Sequence, residues 1–100
     1  MDFLQKNTAQ LKQLCKSYKV KNLYAFGSVL TNRFDENSDV DLLVTFDSVS
    51  LDNYADNYYD LKFSLEKLLN REIDLLEEKA IKNPYLKKNI DEHKKIIYAA

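Results

Sequence analysis

Patterns typical of helices and of strands alternate along this chain, and that alternation limits the folds open to it. Apolar residues at helical spacing predict two long amphipathic helices, and short apolar runs between them predict strands. Pro84 is well suited to be the first residue of a last helix. The predicted elements are helices at 2–18 and 52–69, strands at 22–26, 39–46 and 71–77, a short helical turn at 28–34, and a closing helix from Pro84. The apolar side of this closing helix is predicted to consist of Tyr85, Leu86, Ile90, Ile97 and Tyr98.

The resulting order, α-β-α-β-α-β-α, favours an α+β sandwich in which helices pack on a small three-stranded sheet. The direction of the strands is left open by the pattern. At 100 residues, one domain spanning 1–100 is the default expectation. A single Gly and a single Pro argue against linkers and low-complexity segments.

Charge and composition exclude several classes of protein. The formal net charge is −1, which is not the basic footprint of a protein that binds long nucleic acid. We expect no membrane association and a cytoplasmic location, because neither a signal-type segment nor an apolar run of spanning length is evident. Cys15 and His93 are each the only residue of their type, which argues against a disulfide framework and a Cys/His zinc site. His93 lies among charged residues and is interpreted as part of a solvated helix face.

The triplet Asp39-Val40-Asp41 opens the clearest predicted strand. Alternation along a strand directs Asp39 and Asp41 to one face, where the two carboxylates repel each other. A bound hard cation with oxygen ligands is the usual relief. With ten aspartates in the chain, about one such triplet is also expected by chance.

Two further features add to this pair. Gly27-Ser28 ends the first predicted strand, where free N–H groups at a helix start, a glycine and a hydroxyl would suit a phosphate. The simpler interpretation is a tight turn with Ser28 as N-cap. Asp74 interrupts the apolar run of the third predicted strand, which suggests a cation as partner. Its alternative is an edge strand with Asp74 facing water.

Gly27-Ser28, ten intervening residues and then Asp39-Val40-Asp41 resemble the signature of the DNA polymerase β-like nucleotidyltransferase superfamily. The whole chain resembles its smallest branch, the minimal nucleotidyltransferases, which include antitoxins of the MntA type. The resemblance covers the leading helix, the strand with the aspartate pair, the third strand with Asp74 and the closing helix. It implies a nucleotidyltransferase fold with a small mixed sheet.

The resemblance also implies roles for these residues. Gly27 and Ser28 would bind the triphosphate of ATP or another nucleoside triphosphate. Asp39 and Asp41 would hold two Mg²⁺ ions, and Asp74 would complete the shell of the catalytic ion. Members of the family commonly act as antitoxins that pair with a helical HEPN-type toxin, and they can transfer AMP onto a toxin tyrosine.

One segment departs from the family pattern. Where many relatives carry Ala-Arg-Gly after the Gly-Ser pair, this chain has Leu30, Thr31 and Asn32, so the Arg is lost or displaced to Arg33. The sequence predicts a Mg²⁺-dependent nucleotidyltransferase that transfers AMP to a protein hydroxyl. Two alternatives stay open: a non-catalytic antitoxin that neutralises a toxin by contact, and a subunit of a small-molecule nucleotidyltransferase. Homo-oligomerisation is also left open.

Overall fold

A computed structural model of the chain describes residues 2–31, 34–35 and 37–100. The helices are Asp2–Lys6 (α1), Thr8–Ser17 (α2), Leu51–Leu69 (α3) and Pro84–His93 (α4). The strands are Val20–Phe26 (β1), Val40–Phe46 (β2), Ile73–Glu77 (β3) and Lys95–Ala99 (β4). Short 3₁₀ turns cover Gly27–Leu30 and Glu78–Ala80.

The four strands form one mixed sheet in the order β3-β2-β1-β4. β1 is antiparallel to both β2 and β4, whereas β2 and β3 run parallel. Helices pack on both faces of this sheet, so the predicted α+β sandwich with a mixed sheet is confirmed. The predicted count of three strands is wrong, because the sheet has four.

The two faces of the sheet bury different apolar clusters. On one face, residues such as Leu42 and Val44 of β2 join a large core with Leu11 of α2 and Leu61 of α3. On the other face, a smaller cluster packs α4 against the sheet. Its buried members are Phe26, Leu43 and Ile90. Among the described helices, α4 is the one that contributes to this second cluster, through Ile90.

The prediction that the closing helix extends through Ile97 and Tyr98 is wrong. α4 ends at His93, and Lys94 already has extended backbone angles (φ −61°, ψ 147°). The next residues form β4, in which Tyr98 pairs with Leu23 of β1. A short apolar run does not distinguish a helix from a strand, and here the available edge of β1 decides. β-branched and aromatic side chains also suit a strand better than a helix end.

α4 begins where the sequence predicts. Asn83 is the N-cap, and its side-chain oxygen accepts hydrogen bonds from the backbone N–H of Tyr85 (2.9 Å) and Leu86 (3.3 Å), with Pro84 in the first turn. Its predicted apolar side is only partly buried. Ile90 is 2% exposed, whereas Tyr85 and Leu86, also expected there, are 84% and 44% exposed.

The leading helix is interrupted, which the pattern did not predict. Asn7 forms a turn between α1 and α2. The Thr8 hydroxyl donates to the Gln5 carbonyl at 2.8 Å, a local side-chain bond of the kind that competes with helical hydrogen bonding. In the described ranges, every helix falls short of the length and apolarity that crossing a membrane requires.

Candidate active site

The parallel pairing of β2 with β3 brings two of the candidate carboxylates side by side. Asp41 lies opposite Asp74 in the register of the two strands. Two residues further along, Leu43 and Leu76 belong to the cluster on the α4 face. Because side chains alternate along a strand, Asp41 and Asp74 project from this same face. The structure therefore brings Asp74 to the face that Asp41 occupies.

Asp39 and Asp74 are both exposed, and Asp39 immediately precedes β2. β3 is an edge strand, as the alternative interpretation of Asp74 expected. Being at the edge does not separate Asp74 from the aspartate pair, however. It leaves Asp74 beside Asp41 and open to solvent on the outer side of the sheet.

The electrostatics of Asp41 reflect this crowding. Partial burial raises the pKa of its carboxyl group, and the negative charges of Asp74 and Asp39 raise the pKa further. A hydrogen bond from the backbone N–H of Ser28 acts in the opposite direction and stabilises the carboxylate. Asp41 thus contacts the Gly-Ser turn and lies in the field of both other candidate carboxylates.

Gly27 has a specific reason to be glycine. Its φ of +74° lies in the left-handed region, which side chains disfavour. A Cβ at this position would overlap the Oδ2 atom of Asp41 and lie 3.2 Å from its Cγ. The sequence suggested that the glycine makes room for a phosphate. In the structure, the group that the missing side chain accommodates is the carboxylate of Asp41.

The 3₁₀ turn Gly27–Leu30 covers the start of the helical turn predicted at 28–34. Ser28 is partly buried, and its carbonyl accepts hydrogen bonds from the backbone N–H and the hydroxyl of Thr31, each at 2.9 Å. Val29 is buried and anchors the turn in the main core. Asn32 and Arg33, where the family pattern changes, lie outside the described residues.

α3 fixes the position of β3, and with it that of Asp74. The hydroxyl of Tyr58 donates to the carbonyl of Leu75. The carboxylate of Glu66 accepts from the backbone N–H of Ile73 at 3.2 Å. These side chains cover polar groups at the outer edge of the strand, which would otherwise be open to pairing.

Arg71 is a residue that sequence reasoning missed. Its Nη2 donates to the carbonyls of Ser38 (2.8 Å) and Asp35, and its guanidinium lies 4.3 Å from the centre of the Phe34 ring. It thereby ties the segment just before Asp39 to the turn just before β3. In the sequence Arg71 is only one cation at the end of a helix, and no local pattern points to partners more than 30 residues earlier.

The carboxylates suit a hard cation by their chemistry. Their oxygens are the ligands that Mg²⁺ prefers, and the mutual repulsion that raises the pKa of Asp41 is what a cation would relieve. Within residues 2–31, 34–35 and 37–100, no group of three or more His, Cys, Asp and Glu side chains is arranged to hold a metal ion. The three aspartates are thus neighbours that are not gathered around one point.

Two cavities mark opposite ends of the sheet. The larger, about 710 Å³, is lined by residues such as Lys21, Phe46 and Lys79, at the end away from the aspartates. A second cavity of about 460 Å³ has Gly27 in its wall, together with His93 at the end of α4. The smaller cavity is therefore the one adjacent to the candidate site.

Comparison with known proteins identifies the class. A family model described as a nucleotidyltransferase domain matches residues 8–97, so the chain belongs to the nucleotidyltransferase domain family. A Methanocaldococcus jannaschii relative named as a protein adenylyltransferase is 38% identical over 91% of this chain and 87% of its own length. The protein adenylyltransferase MntA of Thermococcus cleftensis is 32% identical over 76% of this chain and 74% of its own.

Solved structures agree on the fold. A minimal nucleotidyltransferase has a TM-score of 0.78 at 26% identity and aligns over 94% of this chain and 92% of its own. A toxin–antitoxin complex crystallised with AMP-PNP contains a chain that aligns with a TM-score of 0.71 at 21% identity, over 94% of this chain and 74% of its own. The predicted resemblance to minimal nucleotidyltransferases is therefore confirmed, and the chain is a nucleotidyltransferase.

Proposed function

We propose that this chain transfers AMP from ATP to a hydroxyl of a partner protein in a Mg²⁺-dependent reaction, and that the acceptor is a tyrosine of a HEPN-type toxin. One observation carries the proposal. Asp41 lies in register with Asp74 on a parallel strand, while its carboxylate occupies the space that Gly27 leaves free. The Gly-Ser turn and the carboxylates are thereby parts of one site.

Each residue has a proposed role. Gly27 and Ser28 bind the triphosphate, with the Ser28 hydroxyl as a donor, because the Ser28 backbone N–H already holds Asp41. Asp39, Asp41 and Asp74 are the ligands for two Mg²⁺ ions. Such ions, when bound, neutralise the triphosphate and lower the pKa of an attacking hydroxyl.

The open side of the site suits an acceptor from outside the chain. Asp74 is exposed on an edge strand, so an acceptor hydroxyl can approach it from solvent. The acceptor oxygen forms a bond to the α-phosphorus, pyrophosphate leaves with the electrons of the broken P–O bond, and the hydroxyl proton passes to a neighbouring carboxylate or to water. Asp74 is the carboxylate proposed to lie next to this oxygen.

The proposed acceptor follows from the relatives. Those similar over most of their length are named as protein adenylyltransferases, which supports a protein as acceptor. A toxin–antitoxin complex among the structural neighbours supports a toxin as the protein. The cytoplasmic location, the single domain over 1–100 and any homo-oligomer stay predictions.

The test uses α-labelled ATP, Mg²⁺ and the proposed partner toxin, which is sought first in the gene next to that of this chain. We expect label on the toxin, none after chelation by EDTA and none with Asp39→Asn, whereas the exposed helix variant Asp52→Asn labels normally. Toxin neutralisation that persists in Asp39→Asn and Asp74→Asn, with no transfer by the wild-type protein, would instead identify a binding module that acts by contact.

A further inference from the structure

We infer that the cavity beside Gly27 binds the nucleoside part, ribose and base, of the nucleotide substrate. This inference rests on the proposed function and assigns one part of the substrate to one part of the site. It starts from the sheet order. At one end of the sheet, the order β3-β2-β1-β4 places Asp74, Asp41, Gly27 and Lys95 in succession.

The cavity lies on the side of Gly27 away from Asp74. Its volume, about 460 Å³, is within the range of roughly 300–1,000 Å³ typical of small-molecule sites. One wall is the turn, with Gly27, Leu30 and Thr31, and the facing wall includes Glu92 and His93 at the end of α4. A triphosphate on the Gly-Ser turn would therefore have this cavity on one side and the exposed Asp74 on the other.

The charges in the cavity favour a nucleoside over phosphate. The carboxyl end of α4 carries partial negative charge, and Glu92 adds a full one; among the lining residues that the structure describes, Lys95 is the cation that opposes them. Phosphate oxygens would be repelled by the first two groups. Ribose hydroxyls and base amino groups are hydrogen-bond donors, and an acidic residue is a usual acceptor for ribose.

Glu92 is available for this role. Its only ion pair among the described residues is with Lys88, at 4.0 Å, where the side chains of Lys88 and Glu92 are 76% and 55% exposed. An exposed pair of this kind contributes little to stability, so the Glu92 carboxylate can turn to a ligand at small cost.

His93 is the second residue proposed to contact the nucleoside. Its Nδ1 is 2.8 Å from the carbonyl of Asn89, and because a carbonyl only accepts, Nδ1 carries the proton of this hydrogen bond. This bond fixes the orientation of the His93 ring, and His93 lines the cavity. Histidine rings are among the side chains on which nucleobases stack, and partly buried Leu30 adds apolar surface on the opposite wall.

The test measures equilibrium binding of ATP and of inorganic triphosphate, in Mg²⁺, by isothermal titration calorimetry. Triphosphate has the phosphates of ATP without the nucleoside. We expect Glu92→Gln and His93→Ala to weaken ATP binding about tenfold each and to leave triphosphate binding unchanged. Lys88→Ala, which removes the ion-pair partner of Glu92, should leave both unchanged.

Three results would overturn the inference. A change in triphosphate binding as large as the change in ATP binding would show that the cavity holds phosphates. Unchanged ATP binding in Glu92→Gln, which is exposed and needs no repacking to fold, would show that the cavity is not used. A wild-type protein that binds neither ligand would refute the proposed function itself, and is distinguished from the other two results by the wild-type titration alone.

Discussion

Gly27 and Asp41 are best understood as one unit. The glycine has a positive φ, and its missing side chain leaves the space that the Asp41 carboxylate fills. The next residue, Ser28, donates its backbone N–H to that same carboxylate. The sequence motif separates these residues by more than ten positions, whereas in the structure they are in contact.

Gly27→Ala should therefore lower the free energy of unfolding, for two reasons that can be measured separately. The left-handed backbone costs about 1–2 kcal/mol for a residue with a Cβ, and the collision with Asp41 adds to it. We expect Asp41→Ala to remove the second cost. In urea denaturation, Gly27→Ala should thus destabilise the Asp41→Ala protein less than it destabilises the wild-type protein. Equal losses in both backgrounds would contradict the contact.

Asp41 should also make the metal-free protein sensitive to pH. Its pKa is raised in the folded state, so the folded protein holds this proton more tightly than the unfolded chain does. Stability from this group is present below the unfolded pKa of about 3.9 and is lost as pH rises through the folded value. At neutral pH in EDTA, Asp41→Asn should melt at a higher temperature than the wild-type protein.

The control for this prediction is the same comparison of melting temperatures at acidic pH. Well below a pH of about 3.9 the Asp41 carboxyl is protonated in both states, so the difference in melting temperature between Asp41→Asn and wild type should shrink. Mg²⁺ should also narrow it at neutral pH, by stabilising only the wild-type protein. A wild-type protein that is the more stable of the two at neutral pH in EDTA would contradict the assigned repulsion.

Among the elements, the turn before β3 and the segment before β2 are joined by Arg71. Its hydrogen bonds to the carbonyls of Ser38 and Asp35 fix the chain immediately before Asp39. Local patterns predicted both strands, because their apolar content is periodic or continuous. They did not predict this link, since nothing near Arg71 in sequence specifies which distant carbonyls it reaches.

Arg71→Ala should lower both stability and transfer rate. Hydrogen bonds from a charged donor contribute about 1.5–3 kcal/mol, and we expect a loss of unfolding free energy in this range. Arg71→Lys should recover part of it, because an ammonium cannot reproduce the planar fork. Lys67→Ala, at an exposed site on α3, is the matched control. Measurements are made by denaturation and by transfer assays at a temperature where each variant is folded.

If Arg71→Ala melted like Lys67→Ala and transferred AMP at the wild-type rate, Arg71 would have no role in placing Asp39.

The wrong prediction for β4 also shows that contacts distant in sequence can decide the conformation of an element. Ile97 and Tyr98 suited a helix face by spacing, but their conformation is set by the edge of β1, which lies some 75 residues earlier in the chain.

For the whole molecule, the sheet brings its functional candidates to one end. β1 ends there at Phe26, directly before Gly27, and β2, β3 and β4 begin there. The sequence motif predicted Gly27, Ser28, Asp39, Asp41 and Asp74 because their residue types and spacing are characteristic. It did not indicate His93 and Glu92, which looked like part of a solvated helix face. Their place in a cavity beside Gly27 depends on the packing of α4 and on the turn into β4.

The most direct test of the account is the rate of AMP transfer from α-labelled ATP to the toxin by Asp74→Asn, compared with Asp56→Asn. Both changes remove one exposed carboxylate, but Asp56 lies on α3, outside the candidate site. We predict that Asp74→Asn lowers the rate by about a hundredfold or more and that Asp56→Asn leaves it unchanged. Wild-type transfer by Asp74→Asn would contradict the central claim that Asp74 and the aspartate pair form one catalytic centre.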